Sequence, residues 1–240
     1  VGAMAASVAA EGVTGSGTVF DEIEYDGLEA GLLESLGDRY YVTESYVKPY
    51  PACRWVHSGI DALRGLLEEA EIDPAEVREI RVHTHRKGAR LGIDRPTTPS
   101  EAEYSYPYTI AAAFRKSGRL TSAELDHSSR TDEQILDLAD RVSLHVDPEA
   151  QSRYPAESLS RLEVDTIATT YETDLVSPRG SRERPLTRGE LEGKWRRQLD
   201  DHLGQGTAGR LQSAVRDGDL PVTDLLAPWT EAAVGDRGAD

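Results

Sequence analysis

The chain's 240 residues carry 43 acidic against 27 basic side chains, a net charge of −16 that argues against a nucleic-acid or anionic-membrane surface. The length suffices to bury a sizeable core and allows one or two domains. A single cysteine, Cys53, forms no internal disulfide and points to a reducing cytoplasm, and no apolar run approaches a membrane span. Acid excess with arginine in place of lysine is a composition associated with work at high salt, where screening relieves self-repulsion.

Along the chain, the opening VGAMAASVAA lacks the basic start of a signal sequence and reads as the interior of a small-residue helix, cut from something longer. It stops at Gly12 and the Thr14-Gly15-Ser16-Gly17 cluster. A short helix is expected over Glu29–Leu36. Tyr40 to Val47 reads as loop, because Pro49 and Pro51 push the residues before them out of helical space. A helix follows from about Ala52 to Ala70, with Val56, Ile60, Leu63 and Leu67 on its buried side. Asp73-Pro74-Ala75-Glu76 has the elements of a helix start.

The run REIRVHTH alternates, with Ile80, Val82 and Thr84 on one strand face and Arg81, His83 and His85 on the other. Ser100-Glu101-Ala102-Glu103 reads as a capping box for one helix through Phe114 to Gly118. Thr131 with Gln134 reads as another before ILDLAD. Strands are expected at 142–146 and 161–169, with a hairpin partner near 174–178. Thr187 and Glu190 cap a long helix from about Arg188 to Leu203, and the tail 207–234 reads as helical. The class is α+β: a mixed unit over 44–186 between helical flanks 1–43 and 187–240, which read as two pieces of one helical domain.

Several motifs carry chemistry. Gly204-Gln205-Gly206-Thr207-Ala208-Gly209 matches G-x-G-x-x-G, but a helix precedes it where a phosphate cradle needs a strand, so it reads as a helix break. His83 and His85 on one strand face have metal-holding spacing without an obvious third ligand; a solvated pair is the plainer reading. Cys53 and His57 are helical neighbours, which allows a thiol nucleophile, although nothing nearby marks an oxyanion hole or an orienting third group and a small packed cysteine is the plainer reading. Six basic and two acidic residues between Arg78 and Arg95 make a local +4, and Arg95-Pro96 is its best candidate for holding a carboxylate.

Lysine is scarce: Lys48, Lys87, Lys116 and Lys194 are the only four. Lys48 stands at the end of a loop stiffened by Pro49 and Pro51, beside a helix N-terminus. That arrangement makes a positive corner suited to a carboxylate. His57, just over two turns into the helix, adds a hydrogen bond or a proton near neutral pH.

The segments AASVAAEGVTGSGTVFD, VKPYPACRWVHSGIDAL, RPTTPSEAEYSYPYTIAAAF and SPRGSRERPLTRGELEGKW together resemble the MmgE/PrpD family, in family order over nearly the whole chain. The resemblance implies an α+β lid inserted into a discontinuous all-helical domain, with the active site in the cleft between them. It implies a lyase on small polycarboxylates, most simply the dehydration of a 2-methylcitrate-like acid in propionate catabolism, without metal or other cofactor. It assigns Lys48 to a substrate carboxylate and matches His57 to the family's following histidine.

The resemblance covers about the C-terminal half of a family member, so the remaining acid/base groups would come from an N-terminal half, and a homodimer is expected. Where some members carry a site tyrosine, this chain reads Arg90-Leu91-Gly92-Ile93-Asp94, against a decarboxylase. Decarboxylase or epimerase chemistry, or a non-catalytic partner-binding subunit, are the rival readings.

Overall fold

The computed structural model describes residues 2–15, 35, 37–218 and 227, and divides the chain into two units, Val1–Thr43 and Glu44–Asp240. In the first, helix α1 (Gly2–Ala10) ends where Gly12 turns at φ +89°, a conformation that glycine adopts without penalty. The helix expected over Glu29–Leu36 lies outside the described residues.

In the second unit, α2 (Arg54–Glu69) buries Val56, Ile60, Leu63 and Leu66, one position off the expected Leu67, which is only partly covered. Asp73 caps a single turn at Pro74–Glu76 by accepting from Ala75 N at 2.9 Å. That turn feeds strand β1 (Val77–Thr84) directly, so the capping signal belongs to one turn and not to a longer helix.

The stretch read as one helix through Phe114 is two. Thr98, not Ser100, caps α3 (Pro99–Glu103) in a reciprocal box with Glu101. Ser105 then caps α4 (Tyr106–Arg115) by accepting from Tyr108 N at 2.9 Å. The break falls there because Pro107 has no N–H to continue the preceding helix's ladder and suits the first turn of a new one. A one-turn α5 (His127–Arg130) leads to α6 (Glu133–Ala139), capped by Asp132 and not Thr131.

Strand β2 (Val142–Val146) and the short α7 (Pro148–Arg153) precede β3 (Ser160–Thr166) and β4 (Thr170–Glu172). The hairpin partner thus comes a few residues earlier than expected, and the 174–178 segment adds one bridge, Ser160 with Val176. The sheet runs β2-β1-β3-β4, with β1 and β2 parallel and the other pairs antiparallel. Parallel pairing requires a crossover, and residues 85–141 supply it with α3 to α6.

One sheet face, Ile80, Val82, Leu162 and Val164, is buried with α2 and α4 into a single core. Gly59 of α2 makes the closest approach: a Cβ there would stand 2.6 Å from Tyr106 Cε1. Tyr106 reaches past it to donate to Trp55 O at 2.8 Å. Its hydroxyl also joins a buried chain through Ser160 to Ser58 and Thr84, so each polar group in this core has a partner.

The chain then enters α8 (Arg188–Leu203), with the expected Thr187/Glu190 capping box, and α9 (Thr207–Asp217). Gly204 and Gly206 turn at φ +91° and +81° between these two helices, where no strand precedes, as a helix break requires.

Candidate active site

Lys48 is exposed, and its ammonium has no carboxylate partner among the described residues. Its backbone is gripped on both sides. Val47 N donates to Gly180 O at 2.9 Å, and Lys194 Nζ donates to Lys48 O at 2.7 Å. Gly180 sits at φ +93°, where a Cβ would fall 1.9 Å from Val47 O, so only glycine permits this approach.

A buried ionic knot supports the grip. Asp61 of α2 accepts from Tyr50 Oη at 2.7 Å, from Arg179 Nε at 2.9 Å and from Arg179 N at 2.7 Å. Arg179 also donates to Tyr50 Oη at 2.8 Å and bonds Glu190 of α8. One arginine therefore ties the Lys48 loop, α2 and the start of α8 together. Burial, followed by the Asp61 charge, pushes the Tyr50 phenol well above its usual range.

His57 lies beneath this corner with no exposure. Ala52 O, which can only accept, takes the Nε2 proton at 3.1 Å, so Nδ1 accepts from Tyr46 Oη at 2.7 Å. Burial pushes the imidazole down to about 4, so it is neutral near pH 7. Both nitrogens are committed, and neither is bonded to Cys53, a partly exposed N-cap residue. His57 thus sets the loop from within, through Tyr46.

Arg95 lies on α6, its guanidinium within 3.3 Å of Glu133, Asp137 and Asp140. Those carboxylates hold it in its charged form.

The two strand histidines separate, which corrects the expectation of a solvated pair. Pairing ends at Thr84, after which the chain turns and His85 folds inward, stacked on Tyr154 at 4.1 Å with Ser158 Oγ 3.2 Å from Nε2. Its exposure is nil, and burial pushes it down to about 4. His83 stays on the outer sheet face, stacked on His145 at 5.2 Å. Its neighbour Glu163, bonded by Arg81 and Arg161, is pulled down to about 2. Among the described residues, no group of three or more His, Cys, Asp or Glu is placed to hold a metal, and no helix is long and apolar enough to cross a membrane.

Reading the sequence alone missed Asp61, Arg179, Gly180 and Lys194. The SPRG stretch was a signal only as part of a resemblance, since pairing across 118 positions leaves no local pattern.

Fold and site together define a mixed α+β domain that presents a braced, exposed lysine, without a carboxylate partner among the described residues, beside a helix start. The family model described as the MmgE/PrpD C-terminal domain matches residues 50–220, and the chain belongs to that family. The match opens two residues after Lys48. No curated protein matches the chain.

Proposed function

We propose that this chain is the C-terminal part of an MmgE/PrpD-type lyase acting on a small hydroxy-polycarboxylate, with dehydration of a 2-methylcitrate-like acid as the reaction. The observation that carries the reading is the Lys48 corner: a fixed backbone, an exposed ammonium and the start of α2 beside it. A cation placed so holds a substrate carboxylate and stabilises the enolate-like charge that develops when the adjacent carbon loses a proton. His57 acts through Tyr46 as a positioning residue. The proton-transfer groups come from the family's N-terminal helical part, and the site lies between that part and this domain. Arg95, with its donors on three carboxylates, is left outside the substrate contacts.

The test mixes this chain with a separately expressed N-terminal part and 2-methylcitrate at high salt, following ultraviolet absorbance of the conjugated product. Absorbance that rises only in the mixture supports the reading. A stable complex with no rise on any hydroxy-polycarboxylate would sink it.

A second reading, a non-catalytic partner-binding subunit, is favoured by the apolar groove between α8 and α9, where Trp195 is 46% and Val215 63% exposed. A chain that remains monomeric with the N-terminal part present would remove it.

A further inference from the structure

Beside the Lys48 loop, α2, the turn after α4 and α8 line a half-open cavity of about 530 Å³, in the range of small-molecule sites. Its wall carries Arg64, Arg119, Arg179, Lys194 and Arg197 against one carboxylate, Glu190. In a chain of net charge −16, that is a local inversion of sign.

Two of these cations are used inside the fold, Arg179 on Asp61 and Glu190, and Arg64 on Glu68 at 2.9 Å. The other three have no carboxylate partner among the described residues. Lys194 spends one donor on Lys48 O, and burial followed by the Lys48 charge pushes its pKa down. Arg119 makes one long contact, Nε to Lys116 O at 3.4 Å. Neither Arg119 nor Arg197 has a carboxylate partner among the described residues, whereas Arg81, Arg95, Arg153 and Arg161 each sit on at least two.

Glycines shape the space. Gly118, at φ +77°, docks the turn on α2 so closely that a Cβ would stand 2.7 Å from Arg64 Cα, which anchors Arg119 next to it. Gly189 and Gly193 lie one turn apart on the face of α8 that carries Arg197. A Cβ at Gly189 would meet nothing within 4 Å, and at Gly193 the nearest atom is Arg197 Nη1 at 3.3 Å. A helical glycine is destabilising relative to alanine, and two on this face keep open a volume that side chains would fill.

We infer that this cavity binds a small polycarboxylate, with the planar forks of Arg119 and Arg197 each taking a carboxylate and Lys194 adding a point charge. Cations from two separate elements around one space suit a ligand whose anionic groups are spread along a short carbon chain. A single phosphate fills one fork. The inference stands on residues other than the Lys48 ammonium and does not depend on the proposed reaction.

Calorimetric titration of the 240-residue chain with citrate and, separately, with inorganic phosphate tests it. Citrate is expected to bind, and Arg119→Gln/Arg197→Gln to weaken it at least about tenfold, as loss of charge-assisted bonds implies. Arg153→Gln, on a helix outside the cavity wall, serves as the control and binds as wild type. Gly189→Leu fills the cavity while improving helix propensity, so it should keep or raise the melting temperature and abolish binding. This variant decides the matter if the double arginine variant does not fold. No citrate binding by the wild type, or binding within about threefold of it in both variants, would overturn the site. Phosphate bound as tightly as citrate would overturn the polycarboxylate assignment.

Discussion

Lys194 donates its ammonium to the carbonyl of Lys48 at 2.7 Å, so two of the chain's four lysines meet across 146 positions. The contact leaves the Lys48 ammonium exposed while fixing the backbone that carries it. Lys48→Met should therefore leave the melting temperature nearly unchanged, since exposed substitutions stay within about 0.5 kcal/mol. In the reconstituted enzyme it should lower kcat/KM at least about a hundredfold, the scale of a lost transition-state contact. Unchanged activity would remove Lys48 from the site. Lys194→Met should raise KM more than it lowers kcat, because it loosens a position and removes no reacting group.

Gly180→Ala should destabilise strongly. A Cβ at φ +93° would lie 1.9 Å from Val47 O, and backbone strain of this kind costs about 1–3 kcal/mol before the clash is counted. A melting curve that superimposes on the wild type would show that the Val47–Gly180 pairing is not formed in solution.

The Asp61–Arg179 pair is a second structural test, because both partners lie in the interior, with side chains 3% and 18% exposed. Asp61→Leu removes the buried partner of Arg179 and leaves it Glu190 alone, which should cost up to about 3–5 kcal/mol. Adding Arg179→Met should recover part of that loss, giving a non-additive cycle by denaturant unfolding. Simple additivity would mean that the two charges do not interact.

Acid should destabilise the fold through His57. Its folded pKa of about 4 lies below the ordinary 6.5, so the unfolded chain binds more protons between those values. Stability is full above pH 6.5 and falls as pH drops toward 4, by roughly 3 kcal/mol from this group. His85, with the same direction, adds to it. In His57→Gln the slope of stability against pH over this window should shrink. An unchanged slope would place the proton uptake elsewhere.

Arg95→Ala should leave turnover untouched and lower the melting temperature most at low salt. It leaves Glu133, Asp137 and Asp140 facing one another without a cation, and added salt screens that repulsion. A large rise in KM without a change in melting would return Arg95 to the substrate.

Local patterns carried far into this fold. The Thr187/Glu190 capping box, the alternation in REIRVHTH as far as Thr84 and the apolar spacing of α2 are contained within a few residues each, and the elements stand close to where these patterns place them. Punctuation was harder. The break at Ser105 and the choice of Asp132 over Thr131 depend on which of two neighbouring polar side chains reaches the free amides.

The sequence by itself determined the α+β class and the proline-guarded lysine, because period and turn chemistry are properties of adjacent residues, and the resemblance of four of its segments pointed to the family. Tertiary structure alone decided what surrounds that lysine. It sent His57 and His85 into the interior, where desolvation keeps them neutral. It also brought Asp61, Arg179, Gly180 and Lys194 to the Lys48 loop. Charge pairing and close backbone approach across more than a hundred positions follow from how the core packs, and no local spacing encodes them.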